Sequence, residues 1–77
     1  MPAAESESPV ALAVDIGGTK VDAALVDTEG RIVPGSRHRA PTGAEQTPET
    51  FAGAIASVCA RATDAAGPAH RLVGVGV

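Results

Sequence analysis

Residues 10–27 read VALAVDIGGTKVDAALVD, and the fold turns on how this stretch is divided. Val10, Leu12, Val14 and Ile16 alternate with Ala11, Ala13 and Asp15, so residues 10–16 form a strand whose two faces stay apolar until Asp15. That pattern belongs to a central strand covered on both sides. Residues 20–27 form a second strand, with Val21, Ala23 and Leu25 as its apolar set. Between them lie Gly17 and Gly18, suited to the positive φ angles of a tight hairpin. A two-residue turn sets Val14 against Val21 and Lys20 against Asp15. A four-residue loop over 17–20 keeps the same parity and sets Asp15 against Asp22. A three-residue loop would turn one strand's apolar side chains to the wrong face.

Outward from the hairpin the signals weaken. Residues 1–9 are polar and acidic, with Glu5, Ser6, Glu7 and Ser8 offering nothing to bury, and read as a disordered lead. Residues 28–30 are a turn. Residues 31–39 read as a third strand, held to a sheet edge or broken by a bulge at Pro34-Gly35 because proline cannot donate to a ladder. Residues 40–46 read as a loop. Thr47-Pro48-Glu49 opens a helix: a capping hydroxyl, a proline in the first turn and an acid at the positive end of the dipole. Phe51, Ile55, Val58, Cys59 and Ala62 recur at helical spacing as its buried stripe, and Gly67-Pro68 stops it. Residues 71–77 start a fourth strand. A strand–helix–strand crossover is right-handed and returns parallel to a strand already in the sheet. The expected fold class is therefore α/β: an antiparallel run of three strands, one helix, and a last strand parallel to the first.

Composition limits what such a chain does. It has 77 residues, one cysteine and one phenylalanine. No internal disulfide is available, and alanine and valine fill a small core. Residues 72–77, LVGVGV, are an apolar strand with nothing after it, so residues 10–77 read as the amino-terminal part of a longer domain. The net charge of −3 and the scattered cations argue against nucleic acid as a partner. No run is long enough to span a membrane. The start has neither the basic region nor the apolar core of a secretion signal, so a cytoplasmic location is expected.

The chemistry concentrates at the hairpin. A carboxylate ending an apolar strand needs a partner, a metal or a rim position. Asp15 fits a Mg²⁺ site, held through water because Mg²⁺ keeps much of its hydration. It equally fits a cross-strand salt bridge to Lys20. Gly17 and Gly18 let backbone N–H groups approach an anion closely. Thr19 adds a hydroxyl and Lys20 a point charge. An ordinary hairpin is the plain alternative, and D-x-G-G-T-K directly after a buried strand favours phosphate binding over it. The motif is not a P-loop, because threonine precedes lysine and a strand follows. Gly74-Val75-Gly76 lies within an apolar run and is no dinucleotide fingerprint. Cys59 reads as a small core residue, His38 as solvated, His70 as loop, and Asp27 and Glu29 as turn formers. Asp22 reads as solvated unless a cation separates it from Asp15.

Residues 12–20, LAVDIGGTK, followed by an alanine- and valine-rich strand, resemble the first phosphate motif of the ROK family (repressors, uncharacterised frames and sugar kinases). That family lies within the actin-like, ribonuclease-H-like ATPases. The resemblance continues more loosely at residues 27–31, 39–42, 48–49 and 73–77. It implies the amino-terminal part of an ATP-dependent sugar kinase, glucokinase-like, transferring phosphoryl to a hexose hydroxyl. Asp15 would match the metal-organising aspartate. Gly17, Gly18, Thr19 and Lys20 would match the loop that cradles the nucleotide phosphates. The partners implied are ATP with Mg²⁺, a hexose, and a second copy in a homodimer. The catalytic base, the sugar site and a cysteine-rich zinc motif would lie beyond residue 77, so no catalytic residue is expected within this segment. The alternatives are a sugar-sensing ROK regulator without its DNA-binding domain, or a non-catalytic remnant.

Overall fold

The computed structural model describes residues 8–43, 47–67 and 70–77. Four strands and one helix follow one another: β1 (Ser8–Ile16), β2 (Lys20–Asp27), β3 (His38–Pro41), α1 (Pro48–Asp64) and β4 (His70–Gly76). The sheet order is β3-β2-β1-β4. β1 and β2 pair antiparallel, as do β2 and β3, and β4 runs parallel to β1. The α/β class, the central place of the hairpin and the parallel return all follow the sequence pattern.

Register settles the hairpin. Ile16 pairs with Val21, Asp15 with Asp22, Val14 with Ala23 and Leu12 with Leu25. The longer, four-residue connection is therefore the one adopted. Its parity leaves Val10, Leu12 and Val14 on the same face as Val21, Ala23 and Leu25, and all six are buried. Helix α1 closes that face with Val58 and Ala62, and Ala54, Ile55 and Cys59 pack beside them. It lies over β2 and β3 and touches β1 only lightly. Phe51 is half-buried at the helix start.

The helix begins as its sequence requires. The Thr50 N–H donates to Thr47 Oγ1 at 3.2 Å, and the Thr47 N–H donates to Thr50 Oγ1 at 2.8 Å. This reciprocal box satisfies two amides that have no partner inside the helix. Glu49 occupies the first turn. The other end differs from expectation. Ala65 caps the helix in a right-handed conformation, with its N–H on the Ala62 carbonyl. Gly67 keeps a negative or extended φ, so the stop needs no left-handed glycine, and Pro68 lies outside the described residues.

The third strand is where the sequence reading fails most. Residues 31–37 of the expected strand are not part of one. Ile32 makes an isolated bridge to Val26, and the chain then turns at Pro34-Gly35, where Gly35 has φ 81°. The strand is His38–Pro41, which includes Ala40 and Pro41 from the expected loop. It does lie at the sheet edge, as a proline-bearing segment must. Ser36 fills the gap in the ladder. It is fully buried, its Oγ accepts the Leu25 N–H at 3.0 Å, and its hydroxyl donates to the Val33 carbonyl at 2.7 Å. A single hydroxyl thus replaces the strand partner that the turn removes. Smaller shifts occur at the ends. β1 starts at Ser8, inside the expected lead, and His70 is the first residue of β4 rather than loop. β4 carries an irregularity opposite Val10 and Ala11. Its Leu72, Val73 and Val75 are exposed.

Candidate functional site

The site is the connection over residues 17–20, with the strand ends that carry it. Asp15, Gly17, Gly18, Thr19 and Lys20 are all exposed at one end of the sheet. The connection is held on its own account. The Gly17 N–H donates to the Lys20 carbonyl at 2.8 Å. Thr42, just past β3, donates from its N–H to the Thr19 carbonyl at 2.8 Å and from its hydroxyl to the Gly17 carbonyl at 3.3 Å. The N–H groups of Gly18 and Thr19 have no hydrogen-bond partner among the described residues. Two carbonyls are therefore tied down while two consecutive amides stay open, an arrangement that offers donors to an anion.

The glycines do not serve the positive φ angles expected of a tight hairpin. Neither Gly17 nor Gly18 has a positive φ; among the described residues only Gly30 and Gly35 do. The longer loop does not need the left-handed conformations of a two-residue turn. A Cβ on Gly17 would lie 3.3 Å from the Lys20 carbonyl oxygen, tighter than ordinary contact. A Cβ on Gly18 would meet nothing within 4 Å and would project into open space. Gly17 is small for the loop's own closure. Gly18 faces open space and lies beside the open amides in sequence.

The cross-strand salt bridge between Asp15 and Lys20 is overturned by the register, which sets Asp15 against Asp22 instead. Neither Asp15 nor Lys20 has an ion pair among the described residues. Asp22 is half-buried rather than free in solvent: its side chain is 14 % exposed. Arg39, its partner across β3, grips it with two donors, Nε to Oδ1 at 2.7 Å and a terminal nitrogen to Oδ2 at 3.2 Å. Arg37 approaches at 4.0 Å. The Arg39 hydrogen bond holds the Asp22 carboxyl below the usual carboxylate range, with Arg37 and Lys20 adding to the effect and partial burial opposing it. Like charges directly opposite on a sheet repel, and the guanidinium removes that conflict with Asp15.

Asp15 is thus an exposed carboxylate, unpaired, beside two open amides and a lysine. Those residues fit a hydrated Mg²⁺, which takes one or two carboxylates and keeps its waters. Among the described residues no group of three histidine, cysteine or acidic side chains could hold a metal directly. Cys59 is half-buried against the core. Sequence reasoning missed Thr42 and Arg39. Both lie in residues 39–42, a segment of the looser family resemblance, and neither had a role assigned there.

A mixed sheet of this order, with a glycine hairpin at its centre and one crossover helix, is consistent with a partial actin-like ATPase domain. Comparison with known proteins narrows the class. The sequence pattern of the ROK family matches residues 11–77, and the chain belongs to that family. A glucokinase of Streptomyces coelicolor is 46 % identical over 66 residues, covering 86 % of this chain and 18 % of the glucokinase. N-acetylmannosamine kinases are also similar. That of Shigella boydii is 47 % identical over 49 residues, covering 64 % of this chain and 16 % of the relative. That of Escherichia fergusonii is 49 % identical over 47 residues, covering 61 % and 16 %. The chain therefore spans under a fifth of the length of these curated relatives. No solved structure gives a significant match. No described helix is long and apolar enough to cross a membrane.

Proposed function

We propose that the chain is the amino-terminal segment of an ATP-dependent sugar kinase and supplies its nucleotide-phosphate loop. The relatives are named as kinases of glucose and of N-acetylmannosamine, which supports a hexose or a hexose derivative as the acceptor. The observation that carries the reading is the pair of consecutive amides, Gly18 and Thr19, without a hydrogen-bond partner among the described residues, at an exposed loop that carries Lys20. That geometry and the family resemblance support the following roles. The Gly18 and Thr19 N–H groups donate to phosphate oxygens, and the Thr19 hydroxyl can add a third donor. Lys20 brings a positive charge that has no ion pair among the described residues. Asp15 would hold Mg²⁺ through its water shell, and the ion would neutralise charge on the phosphates. Phosphoryl transfer asks the protein mainly for positioning and charge neutralisation, and this segment supplies part of both. The base for the sugar hydroxyl is assigned to the protein beyond residue 77. The same reading carries a cytoplasmic homodimer, which sizing of the full-length protein checks.

The test is a panel of hexoses with MgATP on the full-length protein and on its Asp15→Asn variant. Glucose or N-acetylmannosamine should be phosphorylated. Asp15→Asn should lower turnover about 10–100-fold, the usual cost of losing a group that orders a metal's shell. Its melting temperature should match the wild type, because Asp15 has no ion pair to lose. Unchanged turnover would remove Asp15 from the metal site.

A further inference from the structure

The open amides at the loop do not orient themselves. A trans peptide is planar, with its C=O and N–H pointing opposite ways. The Gly17–Gly18 peptide has its carbonyl on the Thr42 hydroxyl at 3.3 Å. Its N–H, that of Gly18, therefore points away from Thr42. The Thr19–Lys20 peptide has its carbonyl on the Thr42 N–H at 2.8 Å. A single residue thus fixes two of the three peptides joining residues 17–20. Thr42 is 6 % exposed. A buried hydroxyl requires a partner, and this one takes its partner from the loop rather than from its own segment. Nothing else on the described chain bonds these two carbonyls.

We propose that Thr42 is a positioning residue for the phosphate loop, its hydroxyl turning the Gly18 amide toward the nucleotide. This rests on the kinase reading given above. Thr42 does not touch the phosphate; it acts through the Gly17 carbonyl. Without the hydroxyl the Gly17–Gly18 peptide is free to rotate, and the amide must be reoriented each time an anion binds. The cost should fall on nucleotide affinity and not on the sugar.

The experiment compares Thr42→Val, Thr42→Ser and Gly18→Val in the full-length protein, measuring KM for MgATP, KM for the sugar and melting temperature. Valine keeps the backbone N–H and the shape but removes the hydroxyl. Thr42→Val should raise KM for MgATP about three- to tenfold, the worth of one hydrogen bond, and leave KM for the sugar at the wild-type value. Thr42→Ser retains the hydroxyl and should keep wild-type affinity for MgATP. A purely structural threonine would instead lower the melting temperature and weaken both substrates together, which would overturn the proposal. So would loss of MgATP affinity in Thr42→Ser, a result that stands even if Thr42→Val fails to fold. Wild-type MgATP affinity in Thr42→Val beside a weakened Gly18→Val would refute the positioning role and leave the loop reading intact. Wild-type affinity in all three would refute the loop reading itself.

Discussion

Strand β2 has a glycine turn at each end, and the two are built on opposite plans. The connection over 27–31 is closed upon itself. Asp27 Oδ1 accepts the N–H groups of Glu29 and Arg31, both at 2.9 Å, and the Asp27 carbonyl accepts the Gly30 N–H at 3.1 Å. Gly30 takes φ 81° to make the bend. Every donor in that turn has a partner within it except the exposed Thr28. The connection over 17–20 needs no positive φ, has its carbonyls held from β3's end, and leaves the amides of Gly18 and Thr19 open. A glycine at a positive φ answers a demand of the backbone. A glycine at an ordinary φ facing empty space, as Gly18 does, meets no such demand of the backbone. The comparison therefore separates a turn that serves the fold from a turn available to a ligand, though both look alike as glycine-bearing hairpin ends.

The sharpest way to break this contrast is to place the same side chain at both glycines. Gly18→Val should leave the melting temperature near the wild type, because its Cβ meets nothing. It should weaken MgATP binding about 10–100-fold in the full-length protein by obstructing donors to a charged ligand. Gly30→Val should do the reverse. A β-branched residue at φ 81° costs about 1–3 kcal/mol of stability, while nucleotide affinity stays where it was. If Gly18→Val lowered the melting temperature and spared MgATP, the two turns would be the same kind of turn.

Much of this was legible from residues alone. The alternation in residues 10–16 and 20–27 gave the central strands, Thr47-Pro48 gave the helix start, and the apolar run at 72–77 gave the parallel return. The hairpin register was not legible, because period-two alternation cannot tell a two-residue from a four-residue loop; both preserve parity. That ambiguity alone allowed the mistaken pairing of Asp15 with Lys20. The third strand was misplaced because His38–Pro41 is short and polar, while Ile32 and Val33 drew attention to a segment that turns. The roles of Ser36 and Thr42 were invisible for a common reason. A short hydroxyl residue between turns reads as surface, and only the fold reveals that each is buried against an unpaired backbone group. The site residues stood out because charge, glycine and hydroxyl cluster there. What could not be read was which glycine faced space and which faced the chain.

Acid should sharpen the comparison further. The Arg31 N–H, and after it the Glu29 N–H, hold the Asp27 carboxyl below its ordinary value of 3.8. A carboxylate depressed in the folded state stabilises the fold above its unfolded value, and that contribution disappears as pH falls through the folded value. The turn over 27–31 should therefore loosen only at pH values under about 4. Protection of the Glu29 and Arg31 amides, relative to their intrinsic exchange at the same pH, should fall there and be unaffected by nucleotide. Asp27→Asn should abolish most of that acid dependence. The Gly18 and Thr19 amides should show the opposite behaviour, exchanging freely at neutral pH and becoming protected only when MgATP is added.

The smallest effect is expected beside the open turn, at the pair that shields it. Arg39 neutralises Asp22, the residue directly across from Asp15. The pair is partly solvated, so its removal should change stability little. Arg39→Gln would leave Arg37 at 4.0 Å and the more distant Lys20 as the cations near Asp22. The Asp22 carboxyl should then titrate at a higher pH than in the wild type, visible in its carbonyl carbon resonance. Above that pH two opposed carboxylates would face the loop with less compensation, and incoming phosphates would meet a more negative end of the sheet. MgATP affinity should fall modestly, less than in Gly18→Val, and the deficit should shrink as salt is added. An Asp22 titration unmoved by Arg39→Gln would mean that the guanidinium merely joins β2 to β3. The open turn would then owe its character to Thr42 and its glycines alone.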